Sequence, residues 1–122
     1  MTAYATAQQT YRESSVLTAS PGQLVVMLYD GANRFLVQSA AAMRTGDAEA
    51  SHNRLRRAEA ILEELHNTLD MSQGEVAERL ASIYVFCRRL LNEARMERNP
   101  AKIDQVAGLL SELREAWAQI AS

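Results

Sequence analysis

Apolar side chains recur at steps of three and four over four long stretches of the chain, and cap or turn residues separate those stretches. The first stretch opens with six apolar residues in a row, Leu24, Val25, Val26, Met27, Leu28 and Tyr29. Such a run fits either a short buried strand or the start of a helix that is apolar on every side. The residues before it favour the helix. Ser20-Pro21-Gly22-Gln23 has the S-x-x-Q form of a capping box, with proline at the first helical position. A helix-compatible pattern then continues to about Arg44, where Thr45-Gly46-Asp47 supplies a glycine stop and an N-cap for the next helix.

The second predicted helix runs from about Ala48 to Leu69, with Leu55, Ala58, Leu62, Leu65 and Leu69 forming one stripe. Asp70-Met71 ends it. Ser72-Gln73-Gly74-Glu75 reads as a second capping box, opening a third helix to about Arg98 with Val76, Leu80, Ile83, Cys87, Leu90 and Ala94 on its stripe. Asn99-Pro100 caps the last helix, whose stripe is Ile103, Val106, Leu110, Leu113, Trp117 and Ile120. Four helices joined by short loops fold back on one another as antiparallel neighbours. The pattern therefore predicts an all-α protein: an up-down-up-down four-helix bundle over 20–122. Residues 1–19 are rich in Ala, Thr, Ser and Gln with sparse anchors at Tyr4, Tyr11, Val16 and Leu17, and read as a mobile or short-helical N-terminal arm.

Composition narrows the function classes. The 122 residues suit one domain, and a net charge of −2 offers no overall attraction to nucleic acid or anionic membrane. Arg56/Arg57 and Arg88/Arg89 read as solvated helix faces, because acidic residues lie near both. The single cysteine, Cys87, sits in an apolar stretch and reads as a buried small hydrophobe. The N-terminus lacks the basic and apolar regions of a secretory signal, and no apolar run reaches the roughly 18 residues of a membrane span, so a cytoplasmic location without membrane insertion is expected.

Two chemistries of helical bundles have partial signatures in the chain. Helical bundles hold di-iron centres on Glu-x-x-His pairs from different helices. Glu49/His52 and Glu63/His66 have that form but share one helix, about 21 Å apart at 1.5 Å per residue, so one dinuclear site cannot use both. A histidine phosphotransfer domain needs an exposed histidine beside a cation. His52 with Arg56 gives that crudely, but no glycine follows it in "SHNRLRR". No phosphate loop or nucleophile motif is present, so no enzyme activity, metal or cofactor is expected.

The first helix points instead to binding. Asp30, Asn33, Arg34 and Gln38 mark its solvent side; Val25, Leu28, Ala32, Phe35 and Ser39, broadened by Tyr29 and Leu36, mark its core side. Val26 and Val37 share a face with Asp30 and Asn33, Met27 lies beside them, and Leu24 stands at the edge. Such a patch on a soluble protein needs a cover. The arm, a second copy of the chain, or a helix of another protein would each serve. These readings correspond to a binding or chaperone role, with a structural homodimer as the alternative.

The stretch "YRESSVLTASPGQLVVMLYDGANRFL" resembles the signature of FliS, the flagellin-specific export chaperone family, and the similarity continues through "AEAILEELHNTLD", "VAERLASIY", "RRLLNEA" and "LLSELREAW". Tyr11, Val16, Thr18 to Pro21, Leu24, Met27 to Ala32 and Arg34 to Leu36 match it. Ser14 and Arg95 stand where the family has Asn, Gln23 replaces Glu, and Asn33 replaces an aliphatic residue on the proposed outer face. The resemblance implies a non-enzymatic bundle. Such proteins bind the disordered C-terminal segment of flagellin in the cytoplasm, prevent early polymerisation, and deliver it to the flagellar type III export gate. On that basis Leu24, Val26, Met27 and Val37 are the expected contact residues. Tyr4, Tyr11, Val16 and Leu17 are expected either to anchor a displaceable arm or to touch flagellin. Tyr29 is expected to wedge between helices and Asp30 to be an exposed pairing group.

Overall fold

The structure, a computed structural model, describes residues 21–120; the arm expected over 1–19 and its four anchors lie outside the described residues. Helix α1 spans Pro21–Arg44, α2 Ala48–Asn67, α3 Glu75–Glu97 and α4 Pro100–Ile120. A single 3₁₀ turn, Met71–Gln73, lies between α2 and α3. These are the four expected helices, and no strand occurs among the described residues.

Local chemistry sets most of the boundaries. Pro21 is the first residue of α1. Gly46 takes φ 81°, the left-handed conformation that a glycine adopts without a Cβ penalty, and Asp47 then accepts a bond from the Ala50 N–H to cap α2. Asn99 accepts from the Ala101 N–H at 3.1 Å and does the same for α4. The Ser72 capping box does not form. Asp70 accepts from both the backbone N–H and the hydroxyl of Ser72, so this serine serves the 3₁₀ turn, and Gly74 at φ 68° opens α3 without a side-chain cap.

Each helix packs against its chain neighbours, and α1 also lies along α4. The ring is therefore α1–α2–α3–α4, antiparallel throughout. Helix α1 makes the most extensive interfaces, with α2 and α4, while α3 sits more loosely between α2 and α4. The core is apolar: Tyr29, Ala32, Leu36 and Ala40 of α1 meet Leu55, Ala58 and Leu62 of α2, Tyr84, Cys87 and Leu91 of α3, and Ile103, Val106 and Leu110 of α4. The α1–α2 contact uses small residues, including a buried Ser39 whose hydroxyl donates to the Ser51 carbonyl at 2.8 Å. Ion pairs tie the rims: Arg44 with Asp104 and Arg114 with Asp30 between α1 and α4, Arg95 with Glu59 between α2 and α3, and Lys102 with Glu93 between α3 and α4. Pairs this exposed orient helices more than they stabilise them.

Two arginine pairs divide between packing and solvent. Arg57 lies over the Phe35 ring and Arg89 over Phe86, while Arg56 and Arg88 face the groove between α2 and α3.

Burial sets the alkaline limit of stability. It holds the Tyr29 and Tyr84 phenols protonated to a higher pH than usual and pushes the Cys87 thiol up to about 11. Groups with raised folded values contribute stability that is complete below their unfolded values, about 8.5 for Cys and about 10 for Tyr, and is lost as pH rises through the folded ones. Urea melts are expected to be insensitive to these groups up to about pH 8 and to weaken progressively above about pH 9. Cys87 is correspondingly expected to resist thiol reagents at pH 8 until the bundle unfolds.

Candidate functional site: an apolar mouth at one end of the bundle

The antiparallel ring gathers the start of α1, the end of α2, the start of α3 and the end of α4 at one end. The apolar stripes predicted there outrun the core. In the middle of the bundle the stripe residues are buried, but toward this end Leu69, Leu80, Leu113 and Trp117 are only half-buried, Val76 is 66% exposed and Ile120 72% exposed. Val76 and Ile120 thus do not belong to the core, contrary to the stripe reading. On α3 the buried positions are Ala77, Tyr84, Cys87, Leu90, Leu91 and Ala94.

Between the helices at this end lies an open hollow of about 250 Å³. Val25, Leu65, Leu69, Val76, Leu80 and Trp117 line its sides, and Tyr84 lies at its base. The Tyr84 hydroxyl bonds the Tyr29 hydroxyl at 2.6 Å across the bundle axis, joining the diagonal helices α1 and α3 beneath the hollow. Tyr29 is therefore the buried wedge expected of it. Two phenols with their polar ends satisfied by each other make a firm floor.

Of the expected contact residues, Leu24, Val26 and Met27 lie on the first turns of α1, at this end, although Val25 is the residue of that run that lines the hollow. Leu24, Val26 and Met27 are half-buried and do not pack against the core, whereas Val25 and Leu28 do. Val37 is 60% exposed and lies about 16 Å further along α1 from Val26 at 1.5 Å per residue. The polar marks divide. Arg34 and Gln38 are exposed as expected, and Asp30 is the expected exposed pairing group, bonded to Arg114 at 3.0 Å. Asn33 departs from the solvent-side reading: it is half-buried against α4 and its amide donates to the Ser111 hydroxyl at 3.0 Å. The face that carries Val26, Asp30 and Asn33 therefore borders α4.

Leu69, Val76, Leu80 and Trp117 were not expected in a site, because each sits on a predicted core stripe. Their signal in the sequence is collective. In an up-down topology these four residues and the 24–29 run all fall at one end, which then holds more apolar surface than four helix ends can bury. Of the histidines, His66 lies beside the Tyr84 ring, with centroids 6.1 Å apart, and His52 is exposed on α2. Among the described residues no cluster of His, Cys, Asp and Glu has the makings of a metal site, and no helix is long and apolar enough to cross a membrane.

The fold and this mouth define a class: a helical bundle whose open apolar end suits an apolar segment of another chain. Sequence comparison supplies the family. The family model described as flagellar protein FliS matches residues 3–122. A flagellar secretion chaperone FliS of Salmonella typhimurium is 40% identical over 110 residues, covering 88% of this chain and 82% of that protein. Its counterpart from Campylobacter jejuni is 36% identical over 115 residues (93% and 90%), and that of Bacillus subtilis 32% over 109 residues (89% and 81%). The chain belongs to the FliS family of flagellar secretion chaperones.

Proposed function

We propose that this chain is a cytoplasmic, non-enzymatic chaperone that holds the disordered C-terminal segment of flagellin. It keeps that segment from polymerising and presents it to the flagellar type III export gate. The apolar mouth supports this reading: Val76, Leu80 and Trp117 line the hollow, and Leu24, Val26 and Met27 stand half-buried on the first turns of α1 at the same end. A flagellin segment that forms amphipathic helices on binding would place apolar anchors there, in the helix-in-groove mode. The ordering entropy it loses keeps the affinity within a range that permits release at the gate. Val37 would extend the contact along α1.

Titration calorimetry of the full chain against a peptide of the flagellin C-terminus from the same genome tests this. Saturable heat with one peptide per chain supports it. No heat, together with a mass that rises with protein concentration, would assign the apolar mouth to a homodimer instead.

The arm over 1–19, with Tyr4, Tyr11, Val16 and Leu17 as its anchors, is proposed to compete for the same surface. Deleting residues 2 to 15 is then expected to tighten or accelerate flagellin binding. Slower and weaker binding would make the arm a contact element.

A further inference from the structure

A second cleft opens at the opposite end of the bundle and runs along α2 and α3. Its deep part is a hollow of about 270 Å³ with Met43, Ser51 and Leu55 among its walls and His52, Arg95 and Arg98 around it. A wider groove of about 430 Å³ shares His52 and Arg95 with that hollow and also takes in Arg56, Arg88, Glu59 and Glu63. The two form one continuous feature with an apolar pit at one end and a row of cations along its length. The loose seating of α3 against α2 leaves it open.

The charges in this cleft are out of balance. Elsewhere on the bundle Arg44, Arg79, Arg114 and Lys102 pair with carboxylates and Arg57 and Arg89 lie over aromatic rings, while Arg34 and Arg54 form no ion pair among the described residues. Within the cleft Arg95 takes Glu59, but Arg56, Arg88 and Arg98 form no ion pair among the described residues. Four guanidinium groups thus face two carboxylates, on a chain whose net charge is −2. Arg95 itself is only partly satisfied, because its Nε is buried without a partner.

We infer that this cleft docks an acidic amphipathic helix of a partner protein, with one apolar side chain in the Met43–Leu55 pit and carboxylates further along at Arg56 and Arg88. The spacing suits a helix. His52 at the pit and Arg56 are one turn apart on α2, about 6 Å, so an acidic residue one turn beyond the anchor meets the first unpaired cation. Nucleic acid fits less well. A phosphate backbone has no use for an apolar pit. The pit is at the far end from the apolar mouth, and the cleft shares no lining residue with the hollow there, so both can be filled at once and the inference stands whatever occupies the mouth.

The test uses the full chain and a labelled alanine-rich helical peptide with one leucine and glutamates one and two turns after it. Fluorescence anisotropy is expected to saturate, and amide shifts to centre on Ser51, Leu55 and Arg98. Changing the peptide's glutamates to glutamine, or the protein by Arg56→Gln with Arg88→Gln, is expected to weaken binding about tenfold. Arg56→Lys with Arg88→Lys should retain most of it, with unchanged helicity in both variants. Four results would overturn the inference: equal binding of a lysine version, no loss when the peptide's leucine becomes alanine, shifts centred on Val25, Leu80 and Trp117, or no saturable peptide binding while an RNA or DNA duplex binds.

Discussion

Leu36→Ala is expected to lower the unfolding free energy by about 3 kcal/mol, within the roughly 2–5 kcal/mol typical of a fully buried leucine. Leu36 is 0% exposed and sits on α1, the helix that packs extensively on both α2 and α4. Truncation there loses the transfer energy of the side chain and leaves a cavity that neighbours on two sides cannot readily fill. A domain of this size holds only about 5–15 kcal/mol in total, so the loss is a large fraction of its stability. Val37→Ala, one residue on and 60% exposed, is expected to change stability by less than about 0.5 kcal/mol. Urea unfolding followed by circular dichroism separates the two. Equal losses would mean that the buried face of α1 is misassigned.

The second large effect concerns binding. Val26→Asp with Met27→Asp is expected to weaken flagellin-peptide binding about 100-fold or more while leaving the bundle folded. Both side chains are half-buried beside the mouth rather than packed on the core, so the fold tolerates their change better than it tolerates Leu36→Ala. In a complex with an apolar helix each new carboxylate would lose water without gaining a partner, at a cost of several kcal/mol. Calorimetry beside a melting curve reads both quantities. Retained helicity with wild-type affinity would remove these two residues from the contact surface.

The helices were legible because their ends are written in neighbouring residues. Pro21, the Gly46–Asp47 turn and the Asn99 cap each act within four residues of themselves, and all three appear as expected. Ser72 shows the limit of that reasoning. Its cap signature is sound, but Asp70, two residues earlier, engages it first. Periodicity likewise gives the direction in which a side chain points, but not whether a neighbour exists at that height. Leu62 and Leu110 have such neighbours; Val76 and Ile120, at the end of the bundle, do not. The polarity of Asn33 predicts a solvent-facing position, yet Ser111 on α4 gives it a partner, and a pairing across 78 residues leaves no local trace. The α1 half of the mouth was visible as an excess of apolar residues in one helix. The half supplied by Leu69, Leu80 and Trp117 emerges only once the topology brings four helix ends together.

If cargo sits in the apolar mouth, its binding must shield the helix ends that form it. Amide hydrogen exchange of the full chain, with and without the flagellin C-terminal peptide, tests it most directly. Added protection is expected over 24–28, 65–80 and 113–120, with the Arg95–Arg98 end of α3 unchanged. Protection confined to that far end, around residues 43–56 and 88–98, would contradict it.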